Sequence, residues 1–313
     1  MELLKNIKTG EVIFLDIETA RLNKALKKNT PEWDAWAYKC RKEEDQSDKN
    51  LRKLYVDRAA LEPEFSKVIC ISTGMIVDDE LLVESYTDAD EAKLLRDFNH
   101  DLEVYNSSIR NLKLSGWAVI GFDIPFIFKR CMANRVTPSP LLETAGEKPW
   151  TLADRILDLK DLWKGTGFAP TSLICASVCL GVPHPKQDIS GGDVGRVYYG
   201  EGDAGLERIR IYCEADVLST ANVYRALRFE ELVSIGDHGP TVEELPLITK
   251  LANGAALSAR MKKKVEDLIE DLPDEERPVA LEILQALAES KKTKVTRSFV
   301  RTLKDRYAIT KTV

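Results

Sequence analysis

No run of apolar residues in the 313-residue sequence approaches the roughly 20 that a membrane-spanning helix requires. The opening stretch, MELLKNIKTGEVIFLDIE, holds a short apolar run, but that run leads into acidic residues and lacks the small-residue cleavage site of a secretory leader. The expectation is a cytoplasmic protein with no membrane association. Histidine is scarce, and His100, His184 and His238 do not fall at zinc-finger spacing. The six cysteines (Cys40, Cys70, Cys131, Cys175, Cys179 and Cys213) form no C-x-x-C pair. Cys175 and Cys179 are spaced to share a helix face among Leu173, Ile174, Val178 and Leu180, so buried free thiols are expected. An excess of positive charge is also missing. The 45 Lys and Arg face 51 Asp and Glu, a net charge of −6, which argues against a protein that coats nucleic acid electrostatically. It does not argue against an enzyme that grips a strand end through metal ions, whose ligands would supply part of the acidity. Internal repeats and low-complexity tracts are absent as well.

What is present suits one large α/β domain with an appendage: 44% hydrophobic residues can build a substantial core. EVIFLDI at 11–17 has the length and β-branched content of a buried strand. Residues 20–60 are dense in charge, look helical, and carry Trp33 and Trp36 at a spacing that suggests a packed face. Further strands are expected at 68–77 and 81–86, a helix at 90–105, a short strand WAVIGF at 117–122, and a helix beginning near Asp123 and Pro125. RILDLKDL at 155–162 reads as a strand or strand end, and 171–181 as a helix closed by Gly181. The Gly-rich 188–205 reads as a flexible loop, and 205–233 as a long helix. Strands first, then strands alternating with helices, predict a mixed sheet of the ribonuclease H-like type flanked by helices. The domain expected to carry the chemistry is 1–238, with a charged helical insertion at about 20–60. Residues 239–313, strand-poor and broken by DLPDEERP, form a helical appendage.

Three acidic signals recur along this plan. Asp16 and Glu18 stand two apart on a strand, so both carboxylates project from one face of a hydrophobic sheet. Their repulsion and desolvation would be offset by a divalent cation, although a lone D-x-E occurs at many surface strand ends. Asp123 follows a strand and precedes a helix, a position at which a simple N-cap is the ordinary role. Tyr212 and Asp216 are four apart on the long helix and share its face. Separately each is weak. In this order, D-x-E, an isolated Asp and Y-x-x-x-D resemble the signature of the DEDD exonucleases. The tyrosine marks the DEDDy branch, because the histidine branch needs His where Ile211 stands.

The resemblance extends through PEFSKVICIS at 63–72 and FAPTSLICASVCLGVPHPKQDISGG, roughly residues 10–230. These segments resemble the predicted exonucleases related to the proofreading domain of family B DNA polymerases. What it implies is a metal-dependent 3′→5′ exonuclease that hydrolyses terminal phosphodiesters of DNA, at single-stranded or frayed ends, to nucleoside 5′-monophosphates. Two divalent cations, Mg²⁺ or Mn²⁺, would be held by Asp16, Glu18, Asp123 and Asp216, with Asp16 bridging both. Tyr212 would orient the attacking water. An exoribonuclease, and a non-catalytic nucleic-acid or protein-binding module on a nuclease fold, are the alternatives, and DNA is favoured over RNA. Phe122, Lys186 and Arg196 are candidate strand contacts, and Tyr198 and Tyr199 add aromatic surface. Asp154, Asp158 and Asp161 compete as acids, with Asp158 expected at a solvated strand or turn end, while Glu214 points elsewhere on its helix. A basic tail from Lys291 to Lys311 offers a phosphate-binding surface. Residues 20–60 and the C-terminal helices are the expected surfaces for a protein partner or self-association.

Overall fold

The computed structural model describes residues 2–144, 146–167, 171–183 and 189–236. Its centre is a five-stranded sheet of β1 (Val12–Arg21), β2 (Ser66–Val77), β3 (Glu80–Tyr86), β4 (Lys113–Gly116) and β5 (Ile156–Asp158), in the order β3-β2-β1-β4-β5. β2 runs antiparallel to both β1 and β3, whereas β4 and β5 run parallel to β1. This is the mixed ribonuclease H-like sheet. Its helices are α1 (Glu2–Lys5), α2 (Pro31–Lys39), α3 (Asp48–Arg58), α4 (Glu91–Ser108), α5 (Asp123–Ala133), α6 (Pro149–Leu152), α7 (Leu159–Lys164), α8 (Leu173–Leu180), α9 (Val194–Gly200) and α10 (Gly202–Leu227).

β1 is buried on both faces, and its alternation sorts the core. Ile13, Leu15 and Ile17 join Phe98, Leu102, Ile124 and Ile127 of α4 and α5. Val12 and Phe14 join Val217, Ala221 and Tyr224 of α10, with the Phe14 and Tyr224 rings edge-on at 5.4 Å. The same parity turns Asp16 and Glu18 towards α10. That helix lies close on the sheet because Gly74 of β2 has no side chain: a Cβ there would sit 2.7 Å from Val217 Cγ1.

The charged stretch between β1 and β2 forms a helical hairpin with its own small core. Trp36 packs edge-on against Tyr55 at 5.4 Å and Phe65 at 4.9 Å, and its indole N–H donates to Leu51 O. Thr30 and Ser47 cap α2 and α3 by accepting from Trp33 and Asn50 N–H. Trp33 and Trp36 are thus a packed face, as their spacing suggested.

Several expectations are corrected. WAVIGF is a turn, not a strand: β4 ends at Gly116, Ala118 takes φ 68°, and Val119 is buried within the turn. Residues 194–200 of the Gly-rich stretch form α9, because Val194 and Val197 bury against Ala20 and Ile69, and the Tyr199 hydroxyl donates to Arg21 O and Leu22 O. α10 stops at Leu227, after which Leu81 N–H is taken by Ser234 O and Ile235 bridges Leu81. Gly181 does close α8 in a left-handed conformation at φ 70°. Cys175 and Cys179 are exposed, whereas the other four cysteines are buried. Among the described residues no helix is long and apolar enough to cross a membrane. The expected appendage at 239–313, with its basic tail, lies outside the described residues.

Candidate active site

The acids sit where β1 loses its neighbour. β1 pairs with β4 from Val12↔Lys113 to Phe14↔Ser115, and among the described residues no strand lies beside that edge of β1 further on. A backbone N–H exposed there needs an acceptor. The Asp123 carboxylate supplies it by accepting from Ile17 N–H. Asp123 is therefore not a simple N-cap: it is the first residue of α5, the cap position is Phe122, and no side chain caps the helix. On the other side of β1 the register with β2 shifts between Glu18 and Thr19. Such irregularities re-aim side chains near active sites.

Asp16, Glu18 and Asp216 converge so that one carboxylate oxygen of each lies within 4.8 Å of the others. D-x-E thus stands in mid-strand, not at the strand end, and faces the turn of α10 that carries Tyr212 and Asp216. Burial, then Asp123, then Asp216 push the Asp16 carboxyl well above the ordinary range. Burial, then Asp16, then Asp216 do the same to Glu18. Asp123, fully enclosed, is pushed up to about 7, mainly by burial. Burial, then Asp216, Glu18 and Asp16 raise the Tyr212 phenol far above its usual value, and its hydroxyl donates to Asp216. A phenol so placed keeps its proton and orients neighbours through it. The sequence signature therefore brings its three nearest acids and the tyrosine together, with Asp123 beside them.

The other candidates fall differently. Phe122 is half-buried, packed against the core and 5.2 Å from the Phe126 ring. Arg196 is exposed and ion-paired with Asp193 at 3.0 Å and Glu201 at 3.7 Å. Tyr198 and Tyr199 hold α9 to the sheet, with Lys67 over Tyr198 and Arg21 over Tyr199. Lys186 lies outside the described residues. Glu214 accepts from Ser85 and Arg210, away from the acids. Asp158 is not solvated but buried, accepting from Ala118 N–H at 3.1 Å, Ile120 N–H at 3.0 Å and Lys160 N–H at 3.0 Å. It braces the turn that leads into Asp123. A cavity of about 660 Å³ is lined by Asp154, Asp158 and Asp161 but by none of the converged acids. Sequence reasoning missed two features: the Asp158 brace and Cys213, whose Sγ lies 3.3 Å from Asp16 Oδ2. Only Cys213 left a trace, three residues before Asp216 and so near the same helix face.

A search of the curated proteins found no match to this sequence. Among solved structures, the fold is similar to the family B DNA polymerase from the hyperthermophilic archaeon Pyrobaculum calidifontis, with a TM-score of 0.46 and 14% identity over 82% of this chain. The chain spans 28% of the length of that polymerase. Residues 59–250, more than half of the chain, match a family described as a predicted 3′-5′ exonuclease related to the exonuclease domain of PolB. That span contains Asp123, Tyr212 and Asp216 but begins after Asp16 and Glu18, which the inserted hairpin separates from it in sequence and β1 returns to it in space. The chain belongs to this family of predicted 3′-5′ exonucleases related to the exonuclease domain of PolB.

Proposed function

We propose that the protein removes nucleotides one at a time from the 3′ ends of DNA, at single-stranded or frayed ends, releasing nucleoside 5′-monophosphates. The observation that carries the chemistry is the convergence of Asp16, Glu18 and Asp216 within 4.8 Å, on a face where burial and mutual repulsion raise the Asp16 and Glu18 carboxyls. Like charges so placed require a counter-charge. An all-carboxylate donor set suits hard divalent cations, Mg²⁺ or Mn²⁺. The residues therefore fit the expected metals, and Asp16, Glu18, Asp123 and Asp216 would hold two of them. Bound there, the cations would activate water and stabilise the departing 3′-oxygen.

The protein's own groups do the positioning. Tyr212 keeps its proton and donates it to Asp216, so its oxygen is left to accept from a neighbouring water, orienting that water without removing a proton. Hydrolysis joins water oxygen to the terminal phosphorus and breaks the P–O3′ bond, leaving a new 3′-hydroxyl. Phe122 is proposed to stack on a terminal base, and Lys186, Arg196 and the basic tail to hold phosphates. The unit proposed to carry the reaction is residues 1–238.

The test is digestion of a 5′-labelled single-stranded DNA with Mg²⁺ or Mn²⁺, beside EDTA and Asp16→Ala controls and an RNA strand of the same sequence. A ladder shortening from the 3′ end, abolished by EDTA and by Asp16→Ala, is expected, with DNA cut faster. Tyr212→Phe should still cut, slowed by about 10²-fold, as for loss of one positioned proton-bearing group. Absence of cleavage of either strand by the intact protein would overturn the enzymatic reading, and faster cutting of RNA would reassign the substrate.

A further inference from the structure

Three acids of the site, Asp16, Asp123 and Asp216, have donors, and these differ in strength. Asp123 is held by a backbone N–H, and Asp216 by the Tyr212 hydroxyl. Among the described residues, Asp16 accepts from one group alone, the Cys213 thiol, 3.3 Å from Oδ2 and 3.4 Å from the Asp16 backbone oxygen. Cys213 is fully buried in α10, one residue after Tyr212.

We propose that Cys213 is a positioning residue, which orients the Asp16 carboxylate towards the cations while leaving its lone pairs available to them. This rests on the reading of the acids as a metal centre. A thiol is a weak donor. It selects a carboxylate rotamer without drawing off the charge that a cation needs, as an ammonium or guanidinium would.

The surroundings aim the thiol proton. Behind Cys213 lies Cys70, within hydrogen-bonding reach. Cys70 contacts Ser72 Oγ at 3.7 Å, Ser72 contacts Ser85 Oγ at 2.8 Å, and Ser85 donates to Glu214 at 2.7 Å. Glu214 at the far end can only accept, so the protons of that file point away from Asp16: Ser85 to Glu214, Ser72 to Ser85, Cys70 to Ser72. With Cys70 donating to Ser72, the Cys70 sulfur is also open as an acceptor, and of the two acceptors beside the Cys213 proton the Asp16 carboxylate, 3.3 Å away, is the stronger. Ser72 and Cys70 stand opposite Asp16 and Glu18 in the β1–β2 register, so the file runs beside the acid pair on the same face of the sheet.

A thiol that only fills space would tolerate an apolar replacement better than a polar one, because a buried hydroxyl without a partner is costly. A thiol that positions Asp16 predicts the reverse order, so Cys213→Ser, Cys213→Ala and Cys213→Val separate the two. The full-length protein and its variants are titrated with Mn²⁺ alone, by calorimetry and by the loss of the free-ion spin-resonance signal. Melting temperature of the metal-free proteins is followed in parallel. The expectation is that Ala and Val weaken Mn²⁺ binding by about 10-fold or more, the scale seen when a group supporting a metal ligand is removed. Ser should stay within about 3-fold of the parent, even if it melts lower than Val. Equal binding by the Val variant and the parent, or a Ser variant as weak as Val, would overturn the assignment. A parent that binds no Mn²⁺ would overturn it together with the metal centre. A parent that binds Mn²⁺ but digests no strand would overturn the exonuclease reading alone, because the order of the variants still decides the role of Cys213.

Discussion

Asp123 carries a measurable cost at neutral pH. Its carboxyl is pushed up to about 7 by burial, against about 4 in an unfolded chain. Between those values the folded protein holds a proton that the unfolded chain has released. The stabilising contribution of that proton is complete below about pH 4 and is lost as pH rises through about 7. Asp123→Asn keeps an acceptor for Ile17 N–H and removes the charge. In EDTA, the melting temperature of the variant relative to the parent is therefore expected to rise steadily between pH 5 and pH 8. A difference that stays flat or falls with pH would contradict the burial argument. At this scale the acids and Tyr212 were legible because strand and helix periodicities place Asp16 with Glu18 and Tyr212 with Asp216. Asp158 was not, because its role depends on a turn whose backbone N–H groups converge on it, and composition had suggested a strand there.

At the scale of elements, the position of Asp216 depends on how closely α10 approaches β2. Gly74→Ala would bring a Cβ to 2.7 Å from Val217 Cγ1 and 3.0 Å from Leu81 Cδ1, both in a packed core. Overpacking of this kind costs about 1–3 kcal/mol. Because Val217 follows Asp216, the displaced helix should also weaken cation binding, whereas an ordinary core lesion would lower stability alone. Melting and Mn²⁺ titration of Gly74→Ala check both effects, and unchanged affinity would show that the site tolerates movement of α10. β2, β3, α4 and the C-cap of α8 followed from periodicity and Gly181. α9 did not, because seven residues beginning after two glycines carry little helical pattern, and what folds them is the pocket beside Ala20 and Ile69. The exposure of Cys175 and Cys179 escaped for a related reason. α8 is apolar all round, so its sequence could not say which side meets α10.

At the scale of the molecule, the hairpin between β1 and β2 has a core distinct from those on the two sheet faces. Trp36→Ala, deleting its central side chain, should cost about 3–5 kcal/mol. The loss is expected to be local: hydrogen exchange should accelerate within residues 24–61 while Mn²⁺ affinity stays within about 3-fold of the parent. Acceleration spread evenly over the sheet would show instead that hairpin and sheet unfold as one unit. The mixed sheet itself was legible from the order of strand-like and helix-like segments, and the hairpin's helical character from its charge density.

The converged acids come from positions 16, 18 and 216, with Asp123 between them in sequence and beside Asp16 in space. No local segment contains a working set, and none could be assembled by folding β1 and its hairpin early. During synthesis the chain would pass about 180 residues, from Glu18 to Gly202, with Asp16 and Glu18 already made and α10 still missing. On the proposed function, a truncated or stalled product ending before α10 would carry no complete set of acids, since it lacks Asp216 and the helix that bears it.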